Sequence, residues 1–155
     1  MRAFRIADRR HPIFDPTGAR LIGGRWNSPG SSVIYSSETY AGALLEVLVH
    51  ANIGRVPETQ AFIEIDIPDT VSREVVAAGH VPGWDADDQQ ASRVIGDRWI
   101  EERRSALLLV PSLVSGGLER NVLINPAHPD RSQIVVSNPR DVHWDRRLFQ
   151  RDKGR

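Results

Sequence analysis

The chain has no cysteine among its 155 residues, which removes thiol catalysis, a disulfide framework and any thiolate zinc site from consideration. It also lacks long apolar runs. Nothing approaches the roughly eighteen apolar residues of a membrane span, and no apolar segment follows the charged start MRAFRIADRR as in a secretory leader. A soluble, cytoplasmic protein is expected. Net charge is missing too: 20 basic and 20 acidic residues cancel, so no overall field draws a polyanion or a membrane surface, and nucleic acid is not an expected partner. Lysine is nearly absent, with Lys153 alone among the basic residues, and a biased genome accounts for that without special chemistry. Neither G-x-G-x-x-G nor G-x-x-x-x-G-K-[ST] occurs, which counts against a hydride-transferring dinucleotide fold and a P-loop. His11, His50, His80, His128 and His143 lie scattered without metal-ligand spacing, so no metal is expected.

What is present suffices for one core. With 40% hydrophobic residues and no internal repeat, residues 1–155 read as one domain, with about 146–155 (RRLFQRDKGR) as a basic, frayed end. Residues 16–30 (PTGARLIGGRWNSPG) are rich in glycine, proline and polar residues and read as a long loop with unusual backbone angles. Val33-Ile34-Tyr35 reads as a short strand, with Ser36 or Ser37 capping a helix from about Glu38 to His50. Residues 61–67 (AFIEIDI) alternate strictly, placing Ala61, Ile63, Ile65 and Ile67 on one sheet face and leaving the other wet. Helical spacing of Ala91, Val94, Ile95, Trp99 and Ile100 predicts a surface helix between Asp87 and Arg104. Leu107–Val110 reads as a central strand buried on both faces, with Ser112 just past its carboxyl end. Strand-like segments follow in ERNVLINP and over Gln133–Val136.

Glu46 is the most informative residue, because all its neighbours from Ala41 to Val49 are apolar or glycine. A helix apolar on nearly every face is expected to be buried, and an unpaired buried carboxylate is costly. Either Glu46 pairs structurally with His50 one turn on, or it stands on a cleft wall where low dielectric magnifies its effect on developing positive charge. The pattern leaves both readings open. Arg25 is flanked by Gly23 and Gly24 on one side and Trp26 and Asn27 on the other, and the small glycines let a phosphate approach a guanidinium fork. A solvated loop arginine is the alternative. Ser112 lacks the G-x-S-x-G setting of a hydrolase nucleophile and suits a polar contact beside a ligand better. Tyr35 ends the strand that feeds the Glu46 helix, as a core residue or as a pocket wall.

Taken in order, GGRWNSPG (23–30), VIYSS (33–37), AGALLEVLVH (41–50), LLLVPSLV (107–114) and ERNVLINPAHP (119–129) resemble the RES-domain family over nearly the whole chain. The resemblance implies an α/β (α+β) fold like that of the ADP-ribosyltransferases, with a small central sheet flanked by helices. It also implies a toxin paired with a helix-turn-helix antitoxin of the Xre type, and NAD as substrate rather than as a true cofactor. Arg25, Glu46 and Ser112 stand where the family's name-giving arginine, glutamate and serine stand. Tyr35 and Asn121 match positions near the pocket, and Arg5 in FRIAD is similar in place to a second cationic contact.

The expected chemistry is cleavage of the nicotinamide–ribose bond. Nicotinamide leaves as a neutral pyridine, so the demand falls on stabilising an oxocarbenium-like ribose, a task suited to Glu46. Arg25 would clamp the diphosphate, Tyr35 would border nicotinamide, and Ser112 and Asn121 would meet ribose or phosphate oxygens. Water, phosphate or a protein side chain could accept the ADP-ribosyl group, with degradation of free NAD ranked before protein modification. Two non-enzyme readings compete. One is a nucleic-acid module built on Arg103-Arg104, Arg146-Arg147 and Arg151, disfavoured by neutrality and few aromatics. The other is a protein-interaction unit in which Glu46 is purely structural.

Overall fold

The computed structural model describes residues 1–51 and 56–149. Eight strands form one sheet: β1 (Arg2–Asp8), β2 (Ile34–Ser37), β3 (Gln60–Asp66), β4 (Arg73–Val75), β5 (Leu107–Pro111), β6 (Arg120–Ile124), β7 (Val135–Val136) and β8 (Arg140–Asp141). Their order is β4-β5-β6-β2-β1-β3-β7, with β8 also on β3. Every pairing is antiparallel except β4 with β5. Among the described residues three α-helices accompany the sheet, α1 (Thr17–Ile22), α2 (Tyr40–His50) and α3 (Gln90–Glu102). The fold is thus mixed α+β, a sheet flanked by helices, and no helix of the described residues is long and apolar enough to cross a membrane.

Alternation along the strands builds two cores. On one face Ile63, Ile65, Leu107, Leu109, Val122 and Ile124 pack together and are closed over by Ile13, Val71 and Ile134. On the other, Leu108, Val110 and Leu123 meet Trp26, Trp84 and Trp99. Each such side chain contributes roughly 1.5–3 kcal/mol when fully buried. The register carries this second face onward, because Val110 opposes Asn121, Asn121 opposes Ser37, and Ser37 opposes Phe4. There Phe4 and Phe62 meet Tyr40 of α2 edge-on, at 5.9 and 4.8 Å between ring centroids. Helices α2 and α3 therefore cover two ends of one sheet face, and a cleft is left between them.

Several local expectations are corrected. The predicted long loop contains α1, ended by Gly23 at φ 79°. The cap of α2 is Thr39, whose Oγ1 accepts from Gly42 N at 2.9 Å, because Ser36 and Ser37 are still paired in β2. Helix α2 is not buried all round, for Leu45 and Val49 are 46% and 59% exposed. Val94 lies on the open side of α3, whose buried residues are Ser92, Gly96 and Trp99. The face of β3 expected to be wet is partly covered, since Phe62 packs on Tyr40 while Asp66 is exposed. Strand β5 is buried throughout, as predicted, but lies next to the edge strand β4 rather than in mid-sheet. Gln133 closes a 3-10 turn, and only Val135–Val136 pairs as a strand. Of the predicted frayed end, Arg146–Phe149 form a 3-10 turn with Phe149 against Trp144, and residues 150–155 lie outside the described residues.

Candidate active site

The cleft has a volume of about 980 Å³ and is walled by α1 and the loop after it, the middle of β1, the end of β2, α2, the beginning of α3, and residues at the end of β5, after it and in β6. Its carboxylate is Glu46, half-buried on α2. Glu46 Oε1 accepts a hydrogen bond from Asn121 Nδ2 at 2.8 Å and a long one from Ser112 Oγ at 3.4 Å. Asn121 is itself oriented, because its Oδ1 accepts from Ser37 Oγ at 3.1 Å. The chain Ser37–Asn121–Glu46 thus holds one carboxylate oxygen and leaves Oε2 without a described protein partner. His50 is not the carboxylate's partner: its Nδ1 lies 2.7 Å from the Glu46 main-chain oxygen. Ser112 is 3% exposed and supports Glu46 from behind instead of lining the cleft.

The cationic wall comes from the glycine-rich loop. Arg25 Nη1 donates to the carbonyls of Trp84 and Ala86 at 3.0 and 2.9 Å, which fixes the guanidinium at the cleft. The loop is bound to α3 at successive residues. Arg93 Nε donates to Gly24 O at 2.9 Å, Ser92 Oγ to Arg25 O at 2.6 Å, and Ser28 N and Oγ to Asp97 at 2.8 and 2.6 Å. Close approach demands glycine on the helix, since a Cβ at Gly96 would stand 1.7 Å from Trp26 O. It demands glycine on the loop as well, where a Cβ at Gly24 would meet the Tyr35 hydroxyl at 2.7 Å.

Tyr35 belongs to this scaffold. Its hydroxyl donates to Asn27 Oδ1 at 2.7 Å and accepts from Trp26 N at 3.0 Å. Asn27, fully buried, donates from Nδ2 to the carbonyls of Ala19, Ser28 and Ser31. Burial raises the Tyr35 pKa well above its ordinary value of 10.0, so the phenol stays protonated and keeps its donor role. The tyrosine therefore shapes the loop through its hydroxyl while its ring borders the cleft. Arg5 sits where β1 and β2 part beyond their one paired position. Its Nε donates to Ile13 O at 2.6 Å and its Nη1 to Tyr35 O at 2.7 Å, and burial lowers its pKa.

The structure thus brings Glu46, Asn121 and Ser112 into one hydrogen-bonded group, places Arg25 on the loop that the Tyr35 hydroxyl holds through Trp26 and Asn27, and sets Arg5 bridging strands at the same cleft. Asn27, Arg93, Ser92 and Asp97 were not among the residues expected from sequence. Gly96 was the available signal: an isolated glycine inside a helical pattern marks a close backbone approach. Of the arginines proposed for nucleic-acid contact, Arg104 is paired with Glu74 and Glu102 and Arg147 with Asp145, while Arg151 lies outside the described residues.

Among the described residues lining the cleft, Glu46 is the one carboxylate and Arg5, Arg25 and Arg93 are the guanidiniums, a concave arrangement of the kind that holds small molecules. Comparison with known proteins then places the chain: it belongs to the RES domain family, matched over residues 2–145. It is 41% identical over 138 residues to the "Prs ADP-ribosylating toxin" of Sphingobium sp., covering 86% of this chain and 85% of that protein. It is 37% identical over 135 residues to "Toxin Res" of Pseudomonas putida, covering 86% and 90%. Among solved structures it resembles a chain of the M. tuberculosis MbcT–MbcA toxin–antitoxin complex, with a TM-score of 0.68 and 18% identity over 91% of this chain and 83% of that one. At that identity the likeness concerns the fold.

Proposed function

We propose that this chain is the toxin of a toxin–antitoxin pair and that it cleaves the nicotinamide–ribose bond of NAD. The observation that carries the reading is Glu46, with one oxygen held by Asn121 and the other free, in a cleft shared with arginines that have no carboxylate partner among the described residues. Bond cleavage leaves positive charge on the ribose, and a fixed carboxylate in a partly water-excluded wall stabilises it without reorganising. The diphosphate belongs against Arg25, which orients the ribose toward Glu46. Tyr35 borders the nicotinamide end, and Asn121 and Ser112 act by holding Glu46. Water or inorganic phosphate is the acceptor in the first reading, so that free NAD is degraded. The name of the Sphingobium relative favours a second, transfer of the ADP-ribosyl group to a protein side chain. A helix-turn-helix antitoxin of the Xre type is the proposed partner, covering or entering the cleft.

The test is nicotinamide release from NAD by the purified, antitoxin-free chain, with and without phosphate, followed by chromatography of the ribosyl product. Glu46→Gln keeps the shape and the contact with Asn121 but not the charge, and is expected to lower turnover about 10²–10³-fold with little change in thermal stability. Release in which Glu46→Gln equals the wild type would sink the assignment. Nicotinamide released only when labelled NAD meets cell extract, with label on a protein band, would select the second reading.

A further inference from the structure

We propose that Arg93, on the first turns of α3, is a second diphosphate-binding residue that works as a pair with Arg25. The inference rests on the NAD reading only for the identity of the ligand; the anion site itself is argued from geometry. Among the described residues, eight arginines form ion pairs with carboxylates: Arg2, Arg9, Arg10, Arg98, Arg104, Arg120, Arg140 and Arg147. The three guanidiniums at the cleft, Arg5, Arg25 and Arg93, form none and are tied to main-chain carbonyls instead. Carbonyls hold the planes in place without cancelling the charge.

Of the three, Arg93 keeps the most binding capacity. Its Nε is committed to Gly24 O at 2.9 Å, and neither terminal nitrogen has a described protein partner. Arg25 keeps Nε and Nη2 free, whereas Arg5 has only Nη2 left. None of these free groups is a buried orphan, since every fully buried side-chain nitrogen and oxygen among the described residues has a partner. They open to solvent, at the cleft. The two residues are also mechanically joined. Arg93 grips the carbonyl of the residue before Arg25, and its neighbour Ser92 grips that of Arg25 itself, at 2.6 Å. Two anchored forks side by side suit two adjacent phosphates, and anchoring removes much of the side-chain entropy that binding would cost. The Tyr35 hydroxyl, between loop and sheet, feels the positive field of both, opposed by the negative field of Asp97.

The experiment titrates inorganic pyrophosphate, ADP-ribose and phosphate-free nicotinamide riboside into wild type, Arg93→Gln and Arg98→Gln by calorimetry. Arg98 pairs with Glu102 on the solvent side of the same helix and serves as the charge control. Arg93→Gln keeps a donor for Gly24 O and is expected to weaken pyrophosphate and ADP-ribose about ten- to a hundredfold. Nicotinamide riboside should bind as before, and Arg98→Gln should behave as wild type. Unchanged affinity in a folded Arg93→Gln protein, or no pyrophosphate or ADP-ribose binding by the wild type, overturns the proposal. If Arg93→Gln fails to fold, Arg93→Lys replaces it. One ammonium cannot both hold Gly24 O and fork a phosphate, so a severalfold loss is expected and wild-type affinity overturns the pair. NAD cleavage with an indifferent Arg93 would leave the NAD reading standing alone. Arg93-dependent pyrophosphate binding with NAD left intact would leave the anion site standing alone.

Discussion

Gly96→Ala decides whether α3 is the seat of the active-site loop or merely a neighbouring surface helix. On helix propensity alone, alanine in place of a mid-helix glycine stabilises by roughly 1 kcal/mol. The structure predicts the opposite sign. The added Cβ would stand 1.7 Å from Trp26 O and 2.7 Å from its carbonyl carbon, where real Cβ atoms keep at least 3.0 Å. Main chain must therefore move by more than an ångström, and Trp26 is stacked on Trp84 at 6.5 Å and is only 2% exposed. That movement breaks or stretches the Arg93, Ser92 and Asp97 contacts to residues 24, 25 and 28. With four hydrogen bonds at about 1 kcal/mol net each and overpacking strain of about 1–3 kcal/mol, losing all of them exceeds the propensity gain by about 4–6 kcal/mol. Urea unfolding of both proteins measures the difference, and NAD affinity of the folded fraction should fall as well. A Gly96→Ala protein as stable as wild type, with wild-type affinity, would refute the argument.

Asn27→Ala removes the described donor to Ser31 O and the acceptor of the Tyr35 hydroxyl, while Ala19 O and Ser28 O keep only their backbone donors, Gly23 N and Ser31 N. A loss of about 2–4 kcal/mol in denaturant unfolding is expected. Tyr35 gives a pH signature. Burial raises its folded pKa above the unfolded value of 10.0, so its contribution is complete below pH 10 and is lost as pH rises further, when only the unfolded phenol releases its proton. Tyr35→Phe should thus be less stable at neutral pH yet show a shallower decline above pH 10 in parallel unfolding series. Equal slopes would mean that the phenol is not desolvated.

What was legible in the sequence follows the range of the forces involved. The alternation in AFIEIDI and the apolar run LLLV predicted two strands and their buried faces, because burial imposes a period on neighbours along the chain. Glu46 stood out for the same reason, a charge in an apolar helix. Strand β1 was missed because RAFRIAD carries Arg2 and Arg5 within the pattern, the latter held by carbonyls that no local rule reveals. The cap at Thr39 was displaced because Ser36 and Ser37 are consumed by β6 across the sheet, a partner more than eighty residues away. The role of Arg25 divides likewise: its flanking glycines announced an unusual loop, but the anchor at Trp84 and Ala86 is long-range and silent in the sequence.

The two halves of the cleft rest on different supports. Glu46 is placed by α2 and by Asn121 of β6, and the guanidiniums by α3 and the Asn27–Tyr35 link. No described hydrogen bond joins the carboxylate group to the loop directly, and both rest on the same sheet. That separation should appear in kinetics. On the proposed NAD reading, loosening the loop, as in Gly96→Ala, should mainly displace the diphosphate and raise KM, whereas removing the charge of Glu46 should act on the reacting ribose and lower kcat. A loop variant that lost kcat with KM intact would show instead that Arg25 acts in the transition state itself. The orientation it provides would then have to be worth as much as the charge of Glu46.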